Sequence, residues 1–236
     1  MLIATQGLVL HTTPYSESSV VAKVFTRQLG LRSYIIKGVR GHTGRVKQNL
    51  LQPMTSLDMV VYDNHRRELN YIKELTPRRP QQQSEPVGNA LRFFMTEVLY
   101  KALREEEPMP EMWDYAEEAS SRQAPDDGLA ELPIVFMLRV AAYLGIQPLD
   151  NHSHREPFFC LEEGRFVSAS NETTLPAGLS STLHSYLQPD SMPLPSPRCP
   201  LQERTALLNA LIAYFQLHIS GFRSFTSHEI LHTVLR

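Results

Sequence analysis

Ser19-Val20-Val21-Ala22-Lys23-Val24-Phe25-Thr26, then Gln28-Leu29-Gly30, then Leu31-Arg32-Ser33-Tyr34-Ile35-Ile36-Lys37 is the stretch that decides the fold. Two apolar, β-branched runs flank a short turn with a glycine, the pattern of a β-hairpin rather than of a helix. Upstream, Gly7-Leu8-Val9-Leu10-His11-Thr12 predicts a first strand, stopped by Thr13-Pro14. Downstream, Ser56-Leu57-Asp58-Met59-Val60-Val61-Tyr62 and Glu68-Leu69-Asn70-Tyr71-Ile72-Lys73-Glu74 flank Asp63-Asn64-His65-Arg66-Arg67 as a second hairpin. Five short strands within the first 76 residues fit a small closed barrel, of which the OB-fold is the commonest five-stranded form.

The pattern changes after Thr76-Pro77-Arg78-Arg79-Pro80-Gln81-Gln82-Gln83, a polar, proline-bearing segment that predicts a linker. Leu91, Phe94, Met95, Val98, Leu99 and Ala102 form one apolar stripe at helical spacing. Leu129, Leu132, Phe136, Val140 and Leu144 repeat it, with Asp126 or Asp127 near the start and Gly145 and Pro148 near the end. A third helix is expected around Leu207, Ala210, Leu211, Tyr214 and Phe215, opened by Pro200 and closed by Gly221. A short last one follows Thr226-Ser227-His228-Glu229, which has capping-box spacing. Between them, Pro157–Leu161 and Arg165–Ser168 predict a small hairpin in an irregular piece at about 148–175, and the proline-rich 189–200 predicts an extended connector. The expected class is α+β, with an N-terminal OB-fold barrel over residues 1–80 and an α-helical domain over 81–236.

Charge divides along the same line. The chain has 236 residues and a net charge of −2, yet residues 1–80 hold four Lys and eight Arg against five carboxylates. That is +7, and it leaves −9 for the remainder. Such asymmetry points to parts with different partners, one of them polyanionic. The richest segment is Lys37-Gly38-Val39-Arg40-Gly41-His42-Thr43-Gly44-Arg45-Val46-Lys47-Gln48-Asn49, where cations alternate with glycines that let backbone approach phosphate. Its functional reading is single-stranded DNA binding; its plainer reading is a solvated loop. Arg27 and Arg32 bracket the first hairpin and Arg66 and Arg67 tip the second, so these four, with Lys37, Arg40, Arg45 and Lys47, are the candidate DNA-binding residues. Tyr15, Tyr34, Tyr62 and Tyr71 offer base stacking or, alternatively, barrel packing.

Several chemistries lack their signature. Gly38 to Gly44 has neither the Lys-Ser/Thr ending nor the following helix of an ATP-binding loop, and there is no G-x-S-x-G elbow. His152, His154, Cys160 and Cys199 are the only potential metal-ligand group, a weak pattern whose spacing favours ordinary loop and core residues over a zinc site. Two cysteines predict reduced thiols, and the absence of a signal-like start or a long apolar run predicts a cytoplasmic protein. Glu105-Glu106-Glu107 and Glu117-Glu118 read as solvated helix faces.

Gly7-Leu8-Val9-Leu10, Tyr15-Ser16-Glu17-Ser18-Ser19, Phe25-Thr26-Arg27, Gly30, Lys37-Gly38-Val39-Arg40 and Leu51-Gln52-Pro53, in that order, resemble the barrel of the RecO family of DNA repair proteins. Weaker similarity runs through Leu138-Arg139, Leu144-Gly145-Ile146-Gln147-Pro148 and Phe225-Thr226-Ser227. The resemblance implies an OB-fold before a helical domain and a non-catalytic recombination mediator without a cofactor. It further implies binding of single- and double-stranded DNA, annealing of complementary strands, and partnership with RecR. It also implies contact with the acidic tail of single-stranded DNA-binding protein and help in loading RecA. It places Lys37 and Arg40 on the family's basic motif and makes Arg139 a candidate, by position, for binding that tail; an ordinary exposed helix arginine is the other reading. Where many relatives carry four zinc-binding cysteines, this chain offers only Cys160, so no zinc site is carried over. Two other classes compete: an adaptor whose acidic helical domain binds a protein without DNA binding, and a hydrolase whose site is assembled only in three dimensions.

Overall fold

A computed structural model describes residues 1–39, 49–64, 66–79, 85–122, 128–188 and 199–234. The chain forms two compact units, Met1–Ser121 and Arg122–Arg236.

The first unit is built on strands β1 (Leu2–Pro14), β2 (Ser19–Thr26), β3 (Gly30–Lys37), β4 (Ser56–Tyr62) and β5 (Leu69–Pro77). They close into a barrel of order β1-β2-β3-β5-β4, with every pairing antiparallel except the short parallel one between β3 and β5. This is the OB-like barrel that the strand count predicts. Alternate residues fill its interior: Val9, Ala22, Val24, Tyr34, Ile36, Leu57, Met59 and Val61 are all buried there. β1 is about twice the expected length. Its first half pairs with β4 and its second half with β2, and Pro14 still sits opposite Val20, at the strand end where proline is tolerated.

Two helices complete this compact unit, α1 (Pro86–Ala102) and α2 (Pro110–Ser120), so it extends past the barrel itself. The physical reason lies on the barrel's outer wall. Leu8, Leu10, Phe25 and Leu31 are buried although they alternate with the interior residues, because the helices cover them. α1 packs on β1, and on α2 the fully buried Trp113 donates from Nε1 to the carbonyl of Phe25 at 2.9 Å. The linker expected at 76–83 begins later than predicted, since Thr76 and Pro77 still belong to β5. Residues 80–84 lie outside the described residues.

The second unit contains α3 (Leu132–Tyr143), β6 (Phe158–Cys160), β7 (Arg165–Val167), α4 (Ala177–Leu187), α5 (Leu201–His218) and α6 (Ser227–Val234). α3 is apolar on most sides and buries six consecutive residues from Leu132 to Met137, as a central helix must. It packs on α5, which also receives α4. β6 and β7 form the small hairpin, whose Phe159 and Phe166 reach the core. Asn151 ties the irregular piece together, donating to the Phe166 carbonyl at 2.9 Å and accepting from the Phe166 amide at 2.9 Å.

Candidate nucleic-acid interface

The barrel's cations divide into two groups. On the wall facing α1 and α2, each meets a carboxylate. Lys23 Nζ lies 2.6 Å from Glu105 and 5.7 Å from the ring centroid of Tyr100. Arg27 grips Asp114 with two parallel bonds of 2.7 and 2.8 Å, a bidentate fork that holds the Asp114 carboxyl below its ordinary pKa. Arg78 and Arg79 both reach Glu117, at 3.0 and 3.3 Å, and Ser56 Oγ donates to the same buried carboxylate at 2.6 Å.

Arg32 corrects the sequence reading most sharply. Its side chain is only 4% exposed, 3.6 Å from the equally buried Asp63 and paired with Glu106, so it cannot reach a phosphate chain. A buried guanidinium needs such partners because water no longer solvates it. Tyr34 drops out of the stacking candidates for a similar reason. It is fully buried in the barrel, and burial, with the nearby Asp63 charge, pushes its hydroxyl pKa well up. The acidic runs are also more than solvated helix faces. Glu105 and Glu106 lie between α1 and α2, outside either helix, and serve with Glu117 as counter-charges to the barrel.

The second group is exposed. In the β4–β5 turn, Asn64 accepts from the amides of Arg66 and Arg67 at 3.0 Å each and donates its own amide to Asn70 Oδ1 at 3.0 Å. The turn is thereby fixed with both arginine side chains outward. Lys37, at the end of β3, is exposed with Nζ 5.6 Å from the Tyr71 ring centroid, a cation–π distance. Arg40, Arg45 and Lys47 lie outside the described residues.

Lys37 and Tyr71 border a groove of about 500 Å³. It exists because β3 and β5 pair only from Ser33–Ile35 to Leu69–Tyr71. Beyond that point β3 continues with β2 and β5 with β4, and a seam opens between them. Tyr62 and Tyr71 stand opposite each other across β4 and β5, 48% and 39% exposed. Ile36, Ile72 and Leu75 line the bottom, and Lys73 stands on the rim beside Lys37. Sequence reasoning passed over Lys73, although its alternation with Tyr71 on a predicted strand places both on the outer face.

In the second unit, Arg139 is exposed on α3 and borders a groove of about 340 Å³ with Leu138, Ala142, Pro148, Leu149 and Tyr186. The four sequence candidates for metal ligation do not converge as one site. Cys160 is buried beside Thr173 and Cys199 beside Tyr186, each at 3.5 Å, while His152 stacks on His184. Among the described residues no group of three or more His, Cys, Asp or Glu is placed to hold a metal ion. None of the helices described is long and apolar enough to cross a membrane.

Comparison with known proteins agrees with this architecture. The family model described as recombination protein O N terminal matches residues 1–81, and that described as recombination protein O C terminal matches residues 83–224. The chain is 30% identical over 240 residues to the DNA repair protein RecO of Christiangramia forsetii, with 99% of each chain covered. It is 28% identical over 243 residues to that of Porphyromonas gingivalis and 27% over 254 residues to that of Flavobacterium psychrophilum, again with 99% of each covered.

Proposed function

The chain belongs to the recombination protein O family of DNA repair proteins, and from that membership we propose that it is a non-catalytic mediator whose barrel binds DNA through the exposed cations of β3 and the β4–β5 turn. The observation that carries this is the division of the cations. Lys23, Arg27, Arg32, Arg78 and Arg79 each meet a carboxylate, while Lys37 is exposed just past one end of the β3–β5 pairing and Arg66 and Arg67 are exposed in the turn that precedes its other end. Exposed cations attract phosphates with release of counterions, without regard to base sequence, which suits a protein acting on many DNA sites. Single- and double-stranded DNA both present that charge, and holding two complementary strands on one basic surface lowers their mutual repulsion during annealing.

The helical unit supplies the protein contacts in this reading. The Arg139 groove joins an exposed guanidinium to apolar walls, with Asp150 also on its lining, and the pairing of cation with apolar surface supports assigning it to the acidic tail of single-stranded DNA-binding protein. RecR is the direct partner, and RecA loading follows from displacing the single-strand-binding protein.

The test is fluorescence anisotropy of a labelled poly-dT oligonucleotide at low and moderate salt. The Lys37→Ala, Arg66→Ala, Arg67→Ala variant is expected to bind several-fold more weakly and to lose about 2 from the slope of log affinity against log salt, near 0.7 per phosphate contact. Wild-type protein that fails to bind at low salt would remove the mediator reading and leave the adaptor.

A further inference from the structure

We propose that the seam between β3 and β5 is a nucleobase slot, in which Tyr62 and Tyr71 stack on an unpaired base while Lys37 and Lys73 hold the flanking phosphates. This rests on the barrel being the DNA-binding unit and adds what that reading leaves out, namely how the protein tells single strands from duplex.

Three independent features converge. The first is shape. The groove holds about 500 Å³, within the roughly 300–1,000 Å³ of small-molecule sites, and its floor of Ile36, Ile72 and Leu75 is apolar, as the face of a base requires. The second is the pair of lips. Tyr62 and Tyr71, 48% and 39% exposed, stand side by side in register on adjacent strands at the groove, two ring faces available to stack on a base. The third is charge. Lys37 and Lys73 border the groove, Lys73 exposed and 3.2 Å from the exposed Glu74, and the Lys37 ammonium lies over the Tyr71 ring.

The rest of the barrel narrows the choice of route. The face formed by β2 and β3 is the usual ligand surface of an OB-fold. Here the acidic segment and α2 occupy part of it: Glu105 and Asp114 engage Lys23 and Arg27, and Trp113 bonds to the backbone of β2. The seam and the arginine turn keep their cations exposed. A duplex keeps its bases stacked and turned inward, so it meets only the lysines and arginines; a single strand can turn a base into the slot.

The experiment compares three probes of equal length: oligo-dT, an oligonucleotide of abasic sites, and a duplex. They are titrated against wild type, Tyr62→Ala, Tyr71→Ala, Tyr71→Phe and the Lys37→Ala, Arg66→Ala, Arg67→Ala variant. The slot predicts that each tyrosine-to-alanine change weakens oligo-dT about tenfold at an unchanged salt slope. It should leave the abasic strand and duplex within twofold, and Tyr71→Phe should behave as wild type. An oligonucleotide carrying 2-aminopurine should be quenched on binding wild type and less so on binding Tyr71→Ala. Equal losses on oligo-dT and abasic strand, or no loss on either, would overturn the slot. The triple cation variant separates the two ideas, because its loss of affinity for all three probes keeps the barrel as the DNA site even if the tyrosines prove silent.

Discussion

Arg27 and Arg32 stand five residues apart on one hairpin and meet different fates. Arg27 follows β2 in the turn and grips Asp114, whereas Arg32 on β3 is buried against Asp63 and Glu106. Both were equal candidates in the sequence, since a charged residue on a strand does not announce whether a carboxylate distant in the chain will meet it. The Arg27 fork gives a pH prediction. Hydrogen bonding from Arg27 holds the Asp114 carboxyl below the ordinary carboxylate range, so the contribution of Asp114 to stability is present above its unfolded pKa and is lost as the pH falls through the lower folded one. An NMR titration should therefore find the Asp114 carboxyl below its ordinary range, and Arg27→Gln should return it there. A midpoint that does not move in the variant would mean that the fork does not persist in solution.

At the scale of elements, the strands that alternate cleanly were the most legible. β2 and β4 have the bounds their apolar runs predict. β1 is longer than expected because Leu2–Gln6 shows no clean apolar–polar alternation, and its pairing with β4 is supplied by a strand fifty residues away. Helices α2 and α4 were not anticipated. α2 buries Met112, Trp113, Ala116 and Ala119 but is otherwise acidic, and α4 is rich in Gly, Ser and Thr, so both depend on packing more than on intrinsic preference. The junction that docks α2 is close. Gly30 has φ +68°, and a Cβ there would collide with the Glu107 backbone. Gly30→Ala is therefore expected to destabilise the first unit by well over the 1 kcal/mol or so of an ordinary glycine replacement. Urea unfolding followed by the single tryptophan, Trp113, reads this directly, and an unchanged midpoint would show that the turn can open.

For the molecule as a whole, the +7 and −9 halves suggest two oppositely charged domains, but the structure apportions charge differently. Residues 81–121 carry −6 and fold within the barrel's unit, and 122–236 carry only −3. The first compact unit is thus close to neutral in sum and strongly uneven over its surface, with carboxylates on the helix-covered wall and cations at the seam and arginine turn. Local fields, and not net charge, govern attraction of a polyanion at physiological salt, where the screening length is about 8 Å. Releasing the matched cations should then add affinity. A Glu105→Gln, Asp114→Asn variant is expected to bind oligo-dT several-fold more tightly at low salt, with a steeper salt dependence as Lys23 and Arg27 become available. Unchanged affinity would place that wall off the path of the strand.

The sequence by itself determined the barrel, most of the helices, the basic character of the first eighty residues and the family, because strand alternation, helical stripes and motif order are local properties of the chain. Only the tertiary structure decided which cations meet carboxylates, that a helical pair packs with the barrel, and that a seam opens between β3 and β5. Those outcomes depend on residues far apart in sequence: Glu105 with Lys23, Asp114 with Arg27, and the end of one three-residue parallel pairing. Ion pairing and strand register are set by where the packed core brings the backbone, and a charge or a tyrosine on a strand carries no mark of what will stand opposite it.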